Sequence, residues 1–374
     1  MQILQFSTAV PQNKYSTREL MQFFPCELSE GVRQNVLNLG VETRHLISHN
    51  CPTSKNENLM NETELADLFK EVCEKAIEKA DLKTEDIDFF IMTYDASPVL
   101  CPSLNQVLIR KLGFNSDIKH VNVQGMACSA FSKALELAEN YLAVHPEDFV
   151  LVCISGVNSY WFYNQVRDFK DVMEISRINS LGNEEERAFE LRKWIATMEY
   201  FLFGDGVAGI ILANDRGGLR VKKIVEVTNI DFEDADAGYA RLAVLNESFK
   251  FGFYSHLSKE IPKLGVKYTS AVLKKLFEKD VERSVKTAKK WAFHTGSGKI
   301  LDTLADAYEI EREKLEESYE VLRRYGNLAG ASLPFILERI VSGNKLSRDD
   351  IVLSVGYGWG FSASACLLEY VKHV

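Results

Sequence analysis

Apolar positions along the chain alternate between helical and strand spacing, a pattern that predicts a layered α/β protein. Leu65, Leu68, Phe69, Val72, Ala76, Ile77 and Ala80 recur at helical intervals, so an amphipathic helix is expected over 64–80. The stretch 87–93 (IDFFIMT) is apolar at neighbouring positions, as in a strand covered on both faces. A helix follows over 103–112, with Pro102 before it and Gly113 at its stop. Residues 119–123 predict a short buried strand, 129–143 a helix, and 149–157 (FVLVCISGV) another buried strand. Residues 160–200 predict a helical insertion outside the alternation. Strands over 208–213 and 219–227 flank a Gly217-Gly218 turn, and a helix over 257–277 is expected to break near Pro262 and Gly265. A strand at 291–293, helices at 300–308 and 332–340, and strands at 351–355 and 362–370 close the chain. The second half repeats the element order of the first without a visible residue-level repeat. Two similar α/β halves, 1–215 and 216–374, are therefore expected to meet at one site.

Composition narrows the class. The chain has 374 residues, 46% apolar and 26% charged, enough to bury a large core. The net charge of −9 and the absence of a basic block argue against a nucleic-acid partner. Seven scattered cysteines form no Cys-x-x-Cys pair, so neither a disulfide framework nor a metal site is expected. The first residues, MQILQFSTAV, lack the basic and apolar regions of a signal peptide, and no run approaches the roughly 20 apolar residues of a membrane span. A soluble protein of the reducing cytoplasm is the expectation.

Candidate chemistry centres on Cys128, at the junction of a predicted strand and a predicted helix. Unpaired N–H groups and the helix dipole favour thiolate there, although a free cysteine is commonly a small buried hydrophobe. His294 ends a strand beside Thr295-Gly296-Ser297-Gly298, and Asn327 lies in the loop Tyr325 to Gly330. Glycines alternate through Gly356-Tyr357-Gly358-Trp359-Gly360, where backbone N–H groups can approach a ligand closely. Two segments are decoys. Gly204 to Gly209 matches GxGxxG but leads into a strand rather than a helix, and Gly296-Ser297-Gly298-Lys299 lacks the spacing of a P-loop.

In content and chain order these residues resemble the thiolase-fold condensing enzymes, in the ketoacyl synthase III and type III polyketide synthase branch. The matching segments are GVETRHL (40–46), Val121 to Phe131, LFGDGVAGIIL (202–212), HTGSGKILD (294–302) and YGNLAGASLPFIL (325–337). Agreement is poorest over 160–200. The nucleophile segment here is GMACSAF rather than Gly-Cys-Ala/Gly-Gly, and the last loop carries Gly-Trp-Gly where the family commonly has Gly-Phe-Gly.

The resemblance implies a thiolase-like layered fold with the active site between its halves. It implies decarboxylative Claisen condensation of a Cys128-bound acyl group with a malonyl thioester, assisted by His294 and Asn327. It places an oxyanion hole at the Cys128 and Gly358 backbone, and a pantetheine or acyl carrier protein contact at Lys299 and Arg44. Substrates would be CoA or phosphopantetheine thioesters, with no metal or redox cofactor, and the enzyme a homodimer. Two alternatives stay open: acyl transfer to an alcohol or amine without decarboxylation, and a non-catalytic partner subunit. Hydroxymethylglutaryl-CoA synthase chemistry would want a carboxylate base, for which Asp95 is the nearest candidate in a poorly matching context. Phe131, Trp161 and Trp359 are candidate tunnel walls, or plain core.

Overall fold

In the computed structural model, which describes residues 1–47, 62–95, 101–242, 253–278, 281–360 and 362–371, thirteen strands follow in chain order. They are β1 (Gln2–Ala9), β2 (Asn13–Ser16), β3 (Thr43–Leu46), β4 (Phe89–Thr93), β5 (Lys119–Val123), β6 (Val150–Ser155) and β7 (Val207–Ala213). Then come β8 (Gly218–Thr228), β9 (Gly238–Leu242), β10 (Phe253–Leu257), β11 (Lys290–Phe293), β12 (Ile351–Tyr357) and β13 (Ser362–Val371). Nine of them form one sheet in the order β11-β12-β13-β8-β1-β7-β6-β4-β5, while β2–β3 and β9–β10 are small ribbons.

Strand directions expose the internal repeat. In the first half β4 and β6 are parallel, and β7 runs antiparallel to both β6 and β1. In the second half β11 and β12 are parallel, and β13 runs antiparallel to both β12 and β8. Thus β1, β4, β6 and β7 correspond to β8, β11, β12 and β13. The halves join where β1 meets β8, at Gln2↔Arg220 and Ile3↔Leu219. The Glu62–Lys79 helix covers β1 and β7, as the Ile261–Phe277 helix covers β8 and β13.

Two further helices lie between the halves. Ala130–Val144 packs on β4, β6 and β13, and Ser332–Ser342 on β1, β7, β11 and β12. Six consecutive residues, Ser332 to Leu337, are buried, as a helix with protein on every side requires. The resulting core joins Phe131, Leu135, Leu333 and Ile336 with β-strand residues of both halves.

Three expectations need correction. β5 is not buried; it is the sheet edge, with Lys119 and His120 exposed, and charge on an edge strand discourages further pairing. The helix over 257–277 is unbroken from Ile261, because Pro262 falls in its first turn, where a missing N–H costs nothing, and 253–257 is strand β10. Residues 160–200 are helical as expected (Ser159–Val166, Ile175–Ser180, Glu184–Leu202), but they are not an outlying insertion. Phe162, Val166, Phe201 and Leu202 pack in the core cluster that contains Cys128.

Candidate active site

Cys128 lies in a 3-10 turn, Ala127–Ser129, that opens the Ala130–Val144 helix. Ala127 adopts a left-handed φ of +43°. Asp95, beyond the end of β4, holds this turn by accepting from the N–H groups of Gly125 (3.0 Å) and Ala127 (3.3 Å). The thiol is buried, and burial first, then the Asp95 carboxylate, push its pKa up. The helix terminus alone was expected to favour thiolate. Desolvation and a nearby carboxylate oppose it and win, since a helix dipole contributes only about 0.3–1 kcal/mol.

Asn327 leads into the corresponding turn of the second half. Its N–H donates to Leu202 O (2.9 Å), and its carbonyl accepts from Gly204 N–H (3.2 Å). A 3-10 turn at Ala329–Ala331, with Ala329 at φ +45°, then opens the Ser332–Ser342 helix. The side-chain Oδ1 accepts from Ala329 N–H (2.8 Å), which commits the acceptor end of the carboxamide and leaves its donor end for the cavity.

His294 follows β11, and its N–H donates to Val355 O (3.0 Å). Its ring is 1% exposed, and burial lowers its pKa to about 3, so the imidazole is neutral. Nδ1 is buried without a partner among the described residues. A bare lone pair is better tolerated there than an unpaired N–H, which assigns the proton to Nε2. Thr295 donates to the Ser332 hydroxyl (2.8 Å), which also accepts from Leu328 N–H (3.0 Å). One serine thus ties the His294 loop to the Asn327 turn.

These residues converge. Cys128, His294 and Asn327 line one cavity of about 90 Å³. A larger cavity of about 380 Å³ also reaches Cys128, bounded by Asp95, Asn158, Trp161, Phe162, Tyr239 and Trp359. The thiol therefore stands between two chambers. Trp161 and Trp359 are wall residues, whereas Phe131 is core.

The glycine loop meets the nucleophile earlier than expected. Gly358 lies so close to the Cys128 turn that an added Cβ would stand 3.0 Å from Met126 O and 3.3 Å from Ser129 Oγ. The Gly-x-Gly against the thiol is thus Gly356-Tyr357-Gly358, not Gly358-Trp359-Gly360. Gly358 N–H donates to Ser362 O (3.0 Å), so this donor serves the hairpin rather than an oxyanion.

Arg44 and Lys299 lie elsewhere. Arg44 is fully buried, donating to Tyr200 O (3.0 Å) and Thr17 Oγ1 (2.8 Å), with burial lowering its pKa to about 9. It is an internal strut, and the expected carrier contact does not hold for it. Lys299 is exposed in a separate groove with Asp302, Arg312, Glu316 and Arg323, lining neither chamber at Cys128.

Sequence reasoning missed two groups. Asp205 accepts from the N–H groups of Ile47 (2.9 Å), Asn158 (3.0 Å) and Ser159 (3.0 Å), and so fixes Asn158 at the wall of the larger chamber. Its signal was the Gly204-Asp205-Gly206 segment. Tyr357 lines the smaller chamber, and its signal was a tyrosine between two glycines. No group of metal-binding side chains occurs among the described residues.

Comparison with known proteins bears on this geometry. A family model described as FAE1/type III polyketide synthase-like protein matches residues 37–169, and one for the C-terminal domain of chalcone and stilbene synthases matches 243–371. Phloroglucinol synthase of Pseudomonas fluorescens is 25% identical over 90% of this chain and 88% of its own. A beta-ketoacyl-[acyl-carrier-protein] synthase III of Natranaerobius thermophilus is 22% identical over 88% of each. Among solved structures, 1,3,6,8-tetrahydroxynaphthalene synthase of Streptomyces coelicolor superposes over 100% of both chains with a TM-score of 0.78 at 19% identity.

Proposed function

Because the chain belongs to the thiolase-fold condensing enzymes, in the ketoacyl synthase III and type III polyketide synthase branch, we propose that Cys128, His294 and Asn327 carry its reaction. The enzyme is a transferase that joins an acyl group to a malonyl thioester by decarboxylative Claisen condensation. The observation that supports this residue assignment is the shared chamber of the three side chains.

In the first step Cys128 Sγ attacks the starter thioester, and the carrier thiol leaves with the proton. The malonyl extender then binds with its thioester oxygen toward His294 Nε2–H and Asn327 Nδ2–H. The bond to the carboxylate carbon breaks, carbon dioxide departs, and the electron pair is held as an enolate by these two donors. The enolate carbon attacks the acyl carbonyl, and the tetrahedral adduct collapses with Sγ as leaving group. The low pKa of His294 keeps it neutral, so the enolate meets a hydrogen-bond donor rather than a proton source. Each donor of this kind is worth about 10²–10³ in rate. The substrates would arrive as CoA or phosphopantetheine thioesters, and this sequence of steps asks for no metal or redox cofactor.

Carbon dioxide release from carboxyl-labelled malonyl-CoA tests the assignment. Loss of about 10²-fold or more is expected in both His294→Ala and Asn327→Ala. Release at the wild-type rate in both would overturn it, because decarboxylation would then depend on neither residue.

A further inference from the structure

One polar group in the smaller chamber has no part in the steps above. Its walls are mostly apolar, with Leu202, Phe203, Leu257, Ile261 and Ile300. The side-chain polar groups on it are those of Cys128, His294, Asn327, Tyr357 and Trp359, and Trp359 also borders the larger chamber. Tyr357 is only 6% exposed, and its hydroxyl has no hydrogen-bond partner among the described residues. A buried tyrosine hydroxyl normally finds one, and phenylalanine would fill the same space without the unpaired group.

The hydroxyl is well fixed. Tyr357 ends β12, paired with Ala363, so its backbone cannot swing. Its ring stands edge-on to the His294 ring, with centroids 5.8 Å apart and planes at 88°. Its oxygen would lie 2.9 Å from a Cβ added to Gly296, on the loop that carries His294. Burial, and then the nearby Cys128, raise its pKa, so the phenol keeps its proton.

Chamber size indicates which substrate it meets. The chamber is small, about 90 Å³. That suits the thioester carbonyl and α-carbon of a malonyl unit, while an acyl chain has the 380 Å³ chamber on the other side of the thiol.

We propose that Tyr357 is a catalytic residue whose Oη–H donates a third hydrogen bond, beside His294 Nε2–H and Asn327 Nδ2–H, to the extender's thioester oxygen as carbon dioxide leaves. This rests on the condensing assignment of the chamber. The carbon–carboxylate bond breaks, its electron pair moves toward that oxygen, and the phenol O–H bond stays intact throughout. The unpaired hydroxyl is then a donor held ready for charge that appears only in the transition state.

Tyr357→Phe tests this, because it removes only the hydroxyl. The variant should form the Cys128 acyl adduct within about threefold of the wild-type rate, release carbon dioxide from malonyl-CoA about 10²-fold more slowly, and melt at the same temperature or higher. Carbon dioxide release within about threefold of wild type would overturn the proposal. So would parallel loss of adduct formation, or a lower melting temperature, since either assigns the hydroxyl to the thiol or to the fold. Failure of the wild-type enzyme to form a Cys128 adduct would instead sink the condensing assignment itself, so the two failures are distinguishable.

Discussion

Ala127 and Ala329 hold equivalent places in the two halves. Each has a left-handed φ (+43° and +45°), each starts a single 3-10 turn, and each leads into a buried helix between the sheet halves. In both, a side-chain oxygen accepts the alanine N–H. Asp95 does so from the end of β4 in the first turn, and Asn327 does so from within the second. Aligning the alanines sets Cys128 opposite Gly330 and Asn327 opposite Gly125. One backbone device therefore presents the thiol in one half and the amide donor in the other. The difference lies in what each acceptor costs. Gly125 has no side chain, so the first turn borrows a carboxylate, and its charge disfavours the thiolate. The second turn caps itself with a neutral group whose other end remains a donor.

The largest effect should come from separating the two jobs of Asn327. Asn327→Ala loses both cap and donor, and Asn327→Asp keeps an acceptor for Ala329 N–H but loses the donor. Both should slow carbon dioxide release by about 10²–10³. Thermal unfolding should show Asn327→Ala less stable by about 1–3 kcal/mol and Asn327→Asp nearer to wild type. Equal destabilisation would break the comparison, because the cap would then not matter.

Next is the contact between the turns. A Cβ on Gly330 would stand 3.0 Å from Ala130 Cβ, 3.1 Å from Ala127 O and 3.2 Å from Ile154 Cγ2. Gly330→Ala should cost about 1–3 kcal/mol, as overpacking does, and lower the acylation rate because the nucleophile turn must yield. An unchanged urea midpoint would show that the turns do not constrain each other.

Asp95→Asn should sharpen the comparison, since it retains an acceptor for Gly125 and Ala127 while removing the charge. The pH midpoint of Cys128 alkylation by iodoacetamide should move to lower pH. A midpoint that stays or rises would contradict the role assigned to the carboxylate.

On stability at neutral pH the smallest effect belongs to the titration of His294. Its folded pKa of about 3 lies below the ordinary value of 6.5, so the unfolded chain binds the extra proton first. Its contribution is fully present above pH 6.5 and is lost as pH falls toward 3. The melting temperature should therefore fall less steeply over that window in His294→Gln than in wild type.

Much of this was legible in the sequence. Hydrophobic spacing located the strands at 89–93, 150–155 and 207–213 and the helices that cover them, because burial on two faces leaves a continuous apolar run. Cys128, His294 and Asn327 stood out through chain order. The repeat was legible only as element order, because the turns share little beyond Ala127 and Ala329, and a left-handed φ at alanine leaves no trace in composition. Arg44 misled because a cation in a matching segment looks the same whether it meets a substrate or the Tyr200 carbonyl. The Asp95 clamp depends on contacts 30 and 32 residues away, beyond any local pattern.

Intact-protein mass spectrometry after incubation with a panel of acyl-CoAs tests the central claim most directly. The account predicts one acyl group on the wild-type chain, located at Cys128 by peptide mapping and absent from Cys128→Ala. An adduct of equal yield in Cys128→Ala would contradict it.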